Sequence, residues 1–208
     1  MLSTRGPRRS ALDETSTKIL GAARAIYALK GSRGTTTREI ADRAGVNEAT
    51  LFRHFGNKHA LLDAMRAHYC EVSGFKAFVS TLSGNLEQDL YILALRMLEG
   101  IQRNADIIRI SLAEEDLDPD AQKIAWRHPS EIHNTIIAYM AERVRSGELS
   151  GDPEMHGRLF AGMMFSRVMG RKLWKSQRSD QEFARYCVDV FLNGAKCKKA
   201  RNGFTAAR

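Results

Sequence analysis

Two helix starts and one chain reversal fall within residues 36–55, and this spacing restricts the fold more than any other feature of the sequence. Thr36 and Glu39 fit an S/T-x-x-E capping box, which predicts the start of a helix. Gly45 predicts its end, because glycine readily adopts the left-handed conformation that follows many helices. Asn47 then predicts the N-cap of a second short helix. The segment is typical of a helix-turn-helix, although any helical hairpin can share this spacing.

The rest of the chain also has helical periodicity. Apolar residues recur at three-to-four spacing over residues 19–27 and again over 61–75, where we expect one long helix. Asp152 followed by Pro153 predicts a further helix start, and Pro129 predicts a break or kink in a late helix. The chain has 4 prolines and 16 glycines and lacks clear strand-like alternation. We therefore expect an all-α fold of about nine or ten helices.

Positive charge is concentrated at both ends of the chain. The net charge is +8, with +6 in residues 1–58, −3 in residues 59–195 and +5 in residues 196–208. Phosphate contact requires local positive charge, whereas a ligand-binding or dimerisation core does not. The distribution favours a polyanion-binding module joined to a body with another role. A solvated basic surface without such a partner explains the charge equally well.

The sequence gives little support for a membrane protein, a disulfide-rich protein or a metalloprotein. No run approaches the roughly 18 apolar residues of a membrane helix, and no secretion signal is evident, so we expect a soluble cytoplasmic protein. Cys70, Cys187 and Cys197 form an odd set without metal-ligand spacing, so neither a disulfide framework nor a structural metal is expected. The acidic run at 114–120 is interpreted as a solvated helix end rather than a divalent-metal site. No cofactor is predicted.

Residues Tyr27 to Leu62, about a sixth of the chain, resemble the DNA-binding domain of the tetracycline-repressor (TetR) family of bacterial transcriptional regulators. The resemblance implies an all-α fold. Three helices form a DNA-binding domain, a fourth joins it to a ligand-binding and dimerisation domain, and the last two helices pair with those of a second copy. The matching motifs are Tyr27 with Gly31, the threonine-rich helix start, Ile40-Ala41, residues 44–46, residues 51–55, and Asn57-Lys58 before Leu61-Leu62.

The resemblance also implies which residues meet DNA. Arg53 is the best candidate to read guanine in the major groove, and Lys58 resembles the family's phosphate anchor. Phe52 stands where the family commonly has tyrosine, and the missing hydroxyl weakens phosphate binding by about 1 kcal/mol. The implied DNA-binding residues are Thr37, Arg38, Glu48, Ala49, Thr50, Phe52, Arg53, His54 and Lys58.

The chain is expected to have four parts. Ser10 and Asp13 predict a capping box at the first helix. Arg5, Arg8 and Arg9 precede it. They either contact DNA, in a minor groove or along the backbone, or have no role. The predicted parts are a flexible basic arm (1–9), a helix-turn-helix DNA-binding domain (10–58), a ligand-binding and dimerisation domain (59–195) and a disordered basic tail (196–208).

Methionine and aromatic side chains suggest an effector pocket in the second domain. Such side chains suit a flexible hydrophobic ligand, although core packing is the plainer explanation. The sequence thus predicts a homodimeric repressor, joined through its last two helices, that a small hydrophobic molecule releases from a palindromic double-stranded DNA operator. The alternative is a small all-helical enzyme or carrier that uses the same pocket. The candidate pocket residues are Trp126, Met140, Phe160, Met163 and Met164.

Overall fold

A computed structural model describes residues 13–31, 33–69, 72–114, 119–173 and 177–195, without the side chains of residues 72, 73, 113, 114, 119–129 and 195. Within those ranges the chain forms ten α-helices and no strand, so the all-α prediction is confirmed. None of these helices is both long and apolar enough to span a bilayer. The helices are α1 (Glu14–Lys30), α2 (Thr37–Ala44), α3 (Glu48–Phe55), α4 (Lys58–Tyr69), α5 (Val72–Val79), α6 (Leu86–Arg103), α7 (Ala105–Glu114), α8 (Pro119–Arg145), α9 (Pro153–Met169) and α10 (Asp180–Ala195).

Capping side chains set the starts of the short helices. Thr36 makes the predicted capping box at α2, because its hydroxyl accepts from the Glu39 amide while the Glu39 carboxylate accepts from the Thr36 amide. Asn47 caps α3, and the Asn57 side chain accepts from the Ala60 amide at 2.8 Å in the first turn of α4. The predicted starts of α2 and α3 are confirmed.

The start of α1 differs from the expected capping box. Asp13 is itself the N-cap, with its carboxylate accepting from the Ser16 amide at 2.6 Å. The expectation that Asp13 would act three residues inside the helix is therefore wrong. Aspartate is as good an N-cap as serine, so the nearer of the two candidates fixes the boundary. Ser10, Arg5, Arg8 and Arg9 lie outside the described residues.

Two further predictions concern helix continuity near Pro129 and over residues 61–75. Helix α8 continues through Pro129, so of the two predicted alternatives the break is wrong, and the kink stays a prediction. An interior proline costs about 3 kcal/mol, but the segment after it buries Ile136 and Met140 in the protein core, which offsets that cost. The single helix predicted over 61–75 is represented by α4 and α5, and the junction at residues 70–71 lies outside the described residues.

The chain divides into two compact units. The first, which we call the head, comprises Met1–Tyr69 and Asp106–Trp126. Its core joins α1, α2, α3 and α4 with α7, which contributes Ile107 at 2% exposure and Ile110 at 6%. The head core consists of Ile19, Leu20, Ala22, Ala23, Ile26, Tyr27, Ile40, Ala41, Leu51, Leu61, Leu62, Met65, Ile107 and Ile110.

The second unit, which we call the body, comprises Cys70–Ala105 and Arg127–Arg208. Its described core is formed by α5, α6, α8, α9 and α10. Helices α8 and α9 approach closely at Gly157, where a Cβ atom would lie 2.8 Å from Cγ1 of Ile137. A buried carboxylate also ties the body together, because Asp89 of α6 accepts from the Ser83 and Gly84 amides and from the Tyr139 hydroxyl.

Candidate DNA-binding surface

The reversal between α2 and α3 has the geometry that a helix-turn-helix requires. Gly45 adopts φ 71° and ψ 31°, the left-handed conformation expected after α2. The amide of Val46 donates to the Ala41 carbonyl at 3.0 Å and closes the turn. Ile40 and Leu51 are fully buried, one from each helix, and hold the crossing. The predicted helix-turn-helix is therefore present.

Helix α3 exposes one face and buries the other. Ala49, Phe52 and Arg53 are exposed at i, i+3 and i+4, so they lie along the same side of the helix. Phe52 is 41% exposed although it is a large aromatic residue. Leu51 faces the opposite direction with no exposed surface. The outer face is thus open to contact with a duplex.

The starts of α2 and α3 are joined by one hydrogen bond. The Thr37 hydroxyl donates to the Glu48 carboxylate, so two residues predicted to face DNA are brought together. Arg38 is exposed beside Thr37, and Thr50 is half-buried on α3. The contact fixes the amino-terminal ends of the two helices relative to each other.

Lys58 has a partner inside the head. Its ammonium donates to the backbone carbonyl of Thr35, a residue with only 2% exposure in the connection before α2. Lys58 therefore holds that connection against the start of α4. Its role as a phosphate anchor stays a prediction.

His54 faces the interior of the head more than the outer face of α3. Its side chain is 17% exposed, and Nδ1 lies 3.0 Å from the Ser16 hydroxyl and 3.7 Å from the Asp13 carboxylate. The Ser16 amide and hydroxyl, followed by the charges of His54 and Arg53, hold the pKa of Asp13 below its ordinary value. The sequence did not indicate this cluster, because Ser16 and His54 lie 38 positions apart and share no periodic pattern.

The predicted pocket residues lie in the body core where they are described. Met140, Phe160 and Met164 have no exposed surface, Met163 is partly buried against the same core, and the side chain of Trp126 lies outside the described residues. This placement gives them a packing role whether or not a ligand reaches them.

A surface groove of about 490 Å³ lies elsewhere in the body, between α6 and α10. The Arg185 guanidinium stands 5.0 Å from the centre of the Tyr91 ring there, and Glu87 and Asp189 add carboxylates. None of the four predicted pocket residues whose side chains are described lines this groove. Its polar lining does not suit the flexible hydrophobic ligand that the sequence predicts.

The thiol of Cys187 is poorly placed for oxidation. Its side chain is buried, and burial raises the pKa of the thiol despite the nearby Arg167 charge. A neutral thiol is a weak nucleophile, so it resists oxidation. Cys70, Cys197 and the acidic side chains at 114–120 lie outside the description, and the described side chains include no group of three that could hold a metal.

Both parts of the chain match known families. Residues 19–65 match the family model for bacterial regulatory proteins of the tetR family, and residues 88–194 match the model for the C-terminal domain of AefR-like transcriptional repressors. The transcriptional regulator YvkB of Bacillus subtilis (strain 168) is 30% identical over 158 residues, which cover 76% of this chain and 82% of YvkB.

Solved structures share the fold. A TetR-family transcriptional regulator from Mesorhizobium loti has a TM-score of 0.71 at 22% identity, over 92% of this chain and 100% of its own. FadR from Bacillus subtilis, solved in complex with stearoyl-CoA, has a TM-score of 0.73 at 15% identity, over 86% and 98% of the two chains.

A helix-turn-helix with an open outer face, followed by an all-helical body, defines a DNA-binding transcriptional regulator. The chain belongs to the TetR family. Because that family consists of regulators, the alternative of an all-helical enzyme or carrier is set aside.

Proposed function

We propose that this protein represses transcription as a homodimer, with the α3 helix of each copy in a major groove of a palindromic operator. The observation that carries the proposal is the open face of α3, formed by Ala49, Phe52 and Arg53. Two-fold symmetry would separate the two recognition helices by about 34 to 40 Å, one helical turn of DNA or slightly more. The proposal retains residues 10–58 as the DNA-binding domain and 59–195 as the ligand-binding and dimerisation domain.

The proposed DNA contacts fall into two kinds. Base reading is assigned to α3, where Arg53 can bind guanine O6 and N7, Ala49 can meet a thymine methyl and Glu48 can accept from cytosine. Backbone positioning is assigned to the remaining set, which sequence-independent phosphate contacts require. This second set consists of Thr37, Arg38, Thr50, Phe52 and Lys58.

Salt-dependent binding tests these assignments. The probe is a DNA duplex selected by the protein from a random-sequence pool. We expect log K to fall linearly with log salt, with a slope of about −0.9 per phosphate contact. The selected sites should be palindromic. A chain that shows no salt-dependent binding to any duplex would overturn the proposal.

Two substitutions separate base reading from charge. Arg53→Ala should relax sequence preference, whereas an equal loss on all sequences would contradict its assignment. The matched control is Arg145→Ala on α8, which removes the same charge from a side chain that is 71% exposed in the body. That control should leave both affinity and preference unchanged. Lys58→Ala should lower the steepness of the salt dependence by about 0.9.

The dimer is assigned to the exposed apolar side chains of α9 and α10. Large apolar residues that remain exposed in one copy are suited to burial against a second. Such residues recur along both helices. A palindromic operator requires a two-fold symmetric dimer, and we assign its interface to these last two helices. They are Met155 (53% exposed), Leu159 (56%), Phe165 (37%), Tyr186 (63%) and Val190 (49%).

The effector is proposed to be a small hydrophobic molecule. Methionine-rich cores deform to accept flexible apolar ligands, and Met140, Met163 and Met164 supply such a set. FadR of Bacillus subtilis, a structure of the same fold, was solved in complex with stearoyl-CoA. A ligand can release DNA only if it binds the released conformation more tightly than the DNA-bound one.

Mass spectrometry tests the effector class. Protein purified from cells is dissociated in organic solvent, and the small molecules released are identified. We expect a long-chain acyl compound or another apolar molecule that, when added back, weakens binding to the selected duplex. Stearoyl-CoA and palmitate serve as defined probes. If neither the co-purified molecules nor these probes change DNA affinity, the hydrophobic-effector assignment is wrong.

A further inference from the structure

We propose that His54 is a positioning residue for DNA binding, which fixes the carboxyl-terminal end of α3 against the first turn of α1 and makes no contact with DNA itself. This inference rests on the proposed use of α3 as the recognition helix. It replaces the expectation that His54 lies in or beside the major groove.

The imidazole of His54 contacts residues of the head and has little exposure to solvent. Its Nδ1 atom is 3.0 Å from the Ser16 hydroxyl, and Ser16 is itself only 6% exposed. The side chain of His54 is 17% exposed, whereas the neighbouring Arg53 is in the exposed class. The most accessible cation at this end of α3 is therefore Arg53, and the ring of His54 faces α1.

The groups around the ring allow this contact in either protonation state. Asp13 uses one carboxylate oxygen to cap α1, and the other lies 3.7 Å from Nδ1 of His54. The single proton of the Ser16 hydroxyl can be donated to Nδ1 of a neutral ring. When that proton goes to the Asp13 carboxylate instead, an Nδ1–H of the neutral or protonated ring donates to the Ser16 oxygen. His54 is also in the last turn of α3, where the unpaired backbone carbonyls favour a positive charge.

Helix α3 needs a directional restraint at this end. Leu51 is fully buried in the middle of the helix, and Phe55 packs against the head core in its last turn. Apolar packing is not directional, so by itself it restrains the tilt of a short helix only weakly. Its amino-terminal end is restrained by the Asn47 cap and by the Thr37 hydrogen bond to Glu48. The His54 contact with Ser16 supplies the matching restraint at the other end.

Tilt of α3 would impair base reading. Arg53 lies two residues beyond Leu51, about 3 Å along the helix axis, so rotation about Leu51 displaces it. Hydrogen bonds to base edges tolerate only a few tenths of an ångström before they weaken. Loss of the His54 contact is thus expected to weaken specific binding through Arg53.

A double-mutant cycle tests the inference. The variants Ser16→Ala, His54→Leu and the double variant are titrated against the selected duplex by fluorescence anisotropy. Each single variant is expected to lower affinity about five- to ten-fold, which corresponds to one hydrogen bond, and the double variant should be no worse than either. The control is Thr17→Ala, which removes an exposed hydroxyl from the next residue of α1 and should change nothing.

Two further readouts separate positioning from direct contact. The salt slope of His54→Leu should equal that of the unmodified protein, whereas loss of a phosphate contact would reduce its steepness by about 0.9. His54→Asn should restore most of the affinity, because its amide can occupy the place of Nδ1 and bond to Ser16. If His54→Leu fails to fold by circular dichroism, Ser16→Ala and His54→Asn still decide the question.

The inference is overturned by additive losses, by a reduced salt slope, or by a Ser16→Ala variant that binds normally. Failure of the recognition-helix assignment has a different signature. In that case Arg53→Ala leaves the sequence preference intact, while the coupling between Ser16 and His54 is absent from DNA binding and detectable only in urea unfolding.

Discussion

Phe52 presents an aromatic ring without a hydroxyl on the open face of α3, at 41% exposure. Phe52→Tyr adds a donor at the position where the family commonly carries one. We expect about five-fold tighter binding to the selected duplex, equivalent to one hydrogen bond of about 1 kcal/mol. Fluorescence anisotropy measures the affinity, and urea unfolding should be unchanged because the position is exposed. Unchanged affinity would place the ring away from the DNA backbone.

Glu39 makes the stability of the head depend on pH. The hydrogen bond from Lys30, followed by that from the Thr36 amide, lowers the pKa of Glu39 from 4.5 to about 2. Because the folded pKa is the lower one, this contribution is complete above pH 4.5 and is lost as the pH falls toward 2. Glu39→Gln keeps a capping side chain but removes the charge.

The measurement for Glu39→Gln is the urea midpoint at pH 7 and at pH 3. We expect the unmodified protein to lose more stability between these values than the variant does. Lys30→Met provides the complementary control, because it removes the charged partner and leaves the carboxyl in place. Identical pH dependence in the unmodified protein and Glu39→Gln would contradict the assignment.

Hydrogen bonds between individual residues were predictable where the two partners are close in sequence. Thr36 and Glu39, or Asn47 and the amide of Thr50, lie three positions apart, so a motif reveals them. The contact of His54 with Ser16 spans 38 positions and forms only when α1 packs against α3. No local pattern encodes such a pairing.

At the scale of helices, α7 is integrated into the head by a bidentate ion pair. The Nε and one Nη of Arg24 on α1 donate to the two carboxylate oxygens of Asp106, at 2.7 and 2.8 Å. The same guanidinium lies 4.4 Å from the centre of the Tyr69 ring on α4. Burial alone would raise the pKa of Asp106, but the hydrogen bonds and charge of Arg24 outweigh it and hold the pKa below its ordinary value.

Asp106→Asn tests what this pair contributes. The side chains are 24% and 28% exposed, between the surface and buried regimes, so we expect a loss of about 1 to 2 kcal/mol in unfolding free energy. Glu99→Gln is the control, since its carboxylate is 58% exposed and its removal should cost clearly less unfolding free energy than Asp106→Asn. If both variants lose the same unfolding free energy in urea, the Arg24–Asp106 pair stabilises the head no more than an exposed ion pair does.

The existence of helices was more predictable than their packing. Capping signals located α2 and α3, and apolar periodicity located α1 and α4. Periodicity tells which face of α7 is buried, but Ile107 and Ile110 carry no information on which core receives them. Proline chemistry likewise predicted a break at Pro129 that the packing of the following segment overrides.

At the scale of the whole molecule, the uneven charge and the exposed apolar residues suit different tasks. The amino-terminal 58 residues carry +6, which favours contact with phosphate. Residues 59–195 carry −3, and their helices α9 and α10 expose apolar side chains instead. The sequence predicted this division through charge and family resemblance, but only the folded helices reveal which apolar side chains remain uncovered.

A single charged substitution tests the proposed dimer interface on α9 and α10. Leu159→Glu places a charge in the middle of the exposed face of α9, where the unmodified side chain is 56% exposed. Burial of an unpaired carboxylate in the interface is strongly unfavourable, so sedimentation velocity should detect a monomer at micromolar concentration. The monomer should still fold, because the position is exposed in a single copy.

Loss of the dimer has a specific consequence for DNA binding. One head can occupy only one half-site, so affinity for the full palindrome should fall to that for a single half-site, about a hundred-fold or more. Ile92→Glu is the control, since it adds the same charge to an apolar residue of α6 that is 37% exposed. That variant should remain dimeric and bind normally. If Leu159→Glu stays dimeric, the subunits meet through another surface and the assignment to α9 and α10 is wrong.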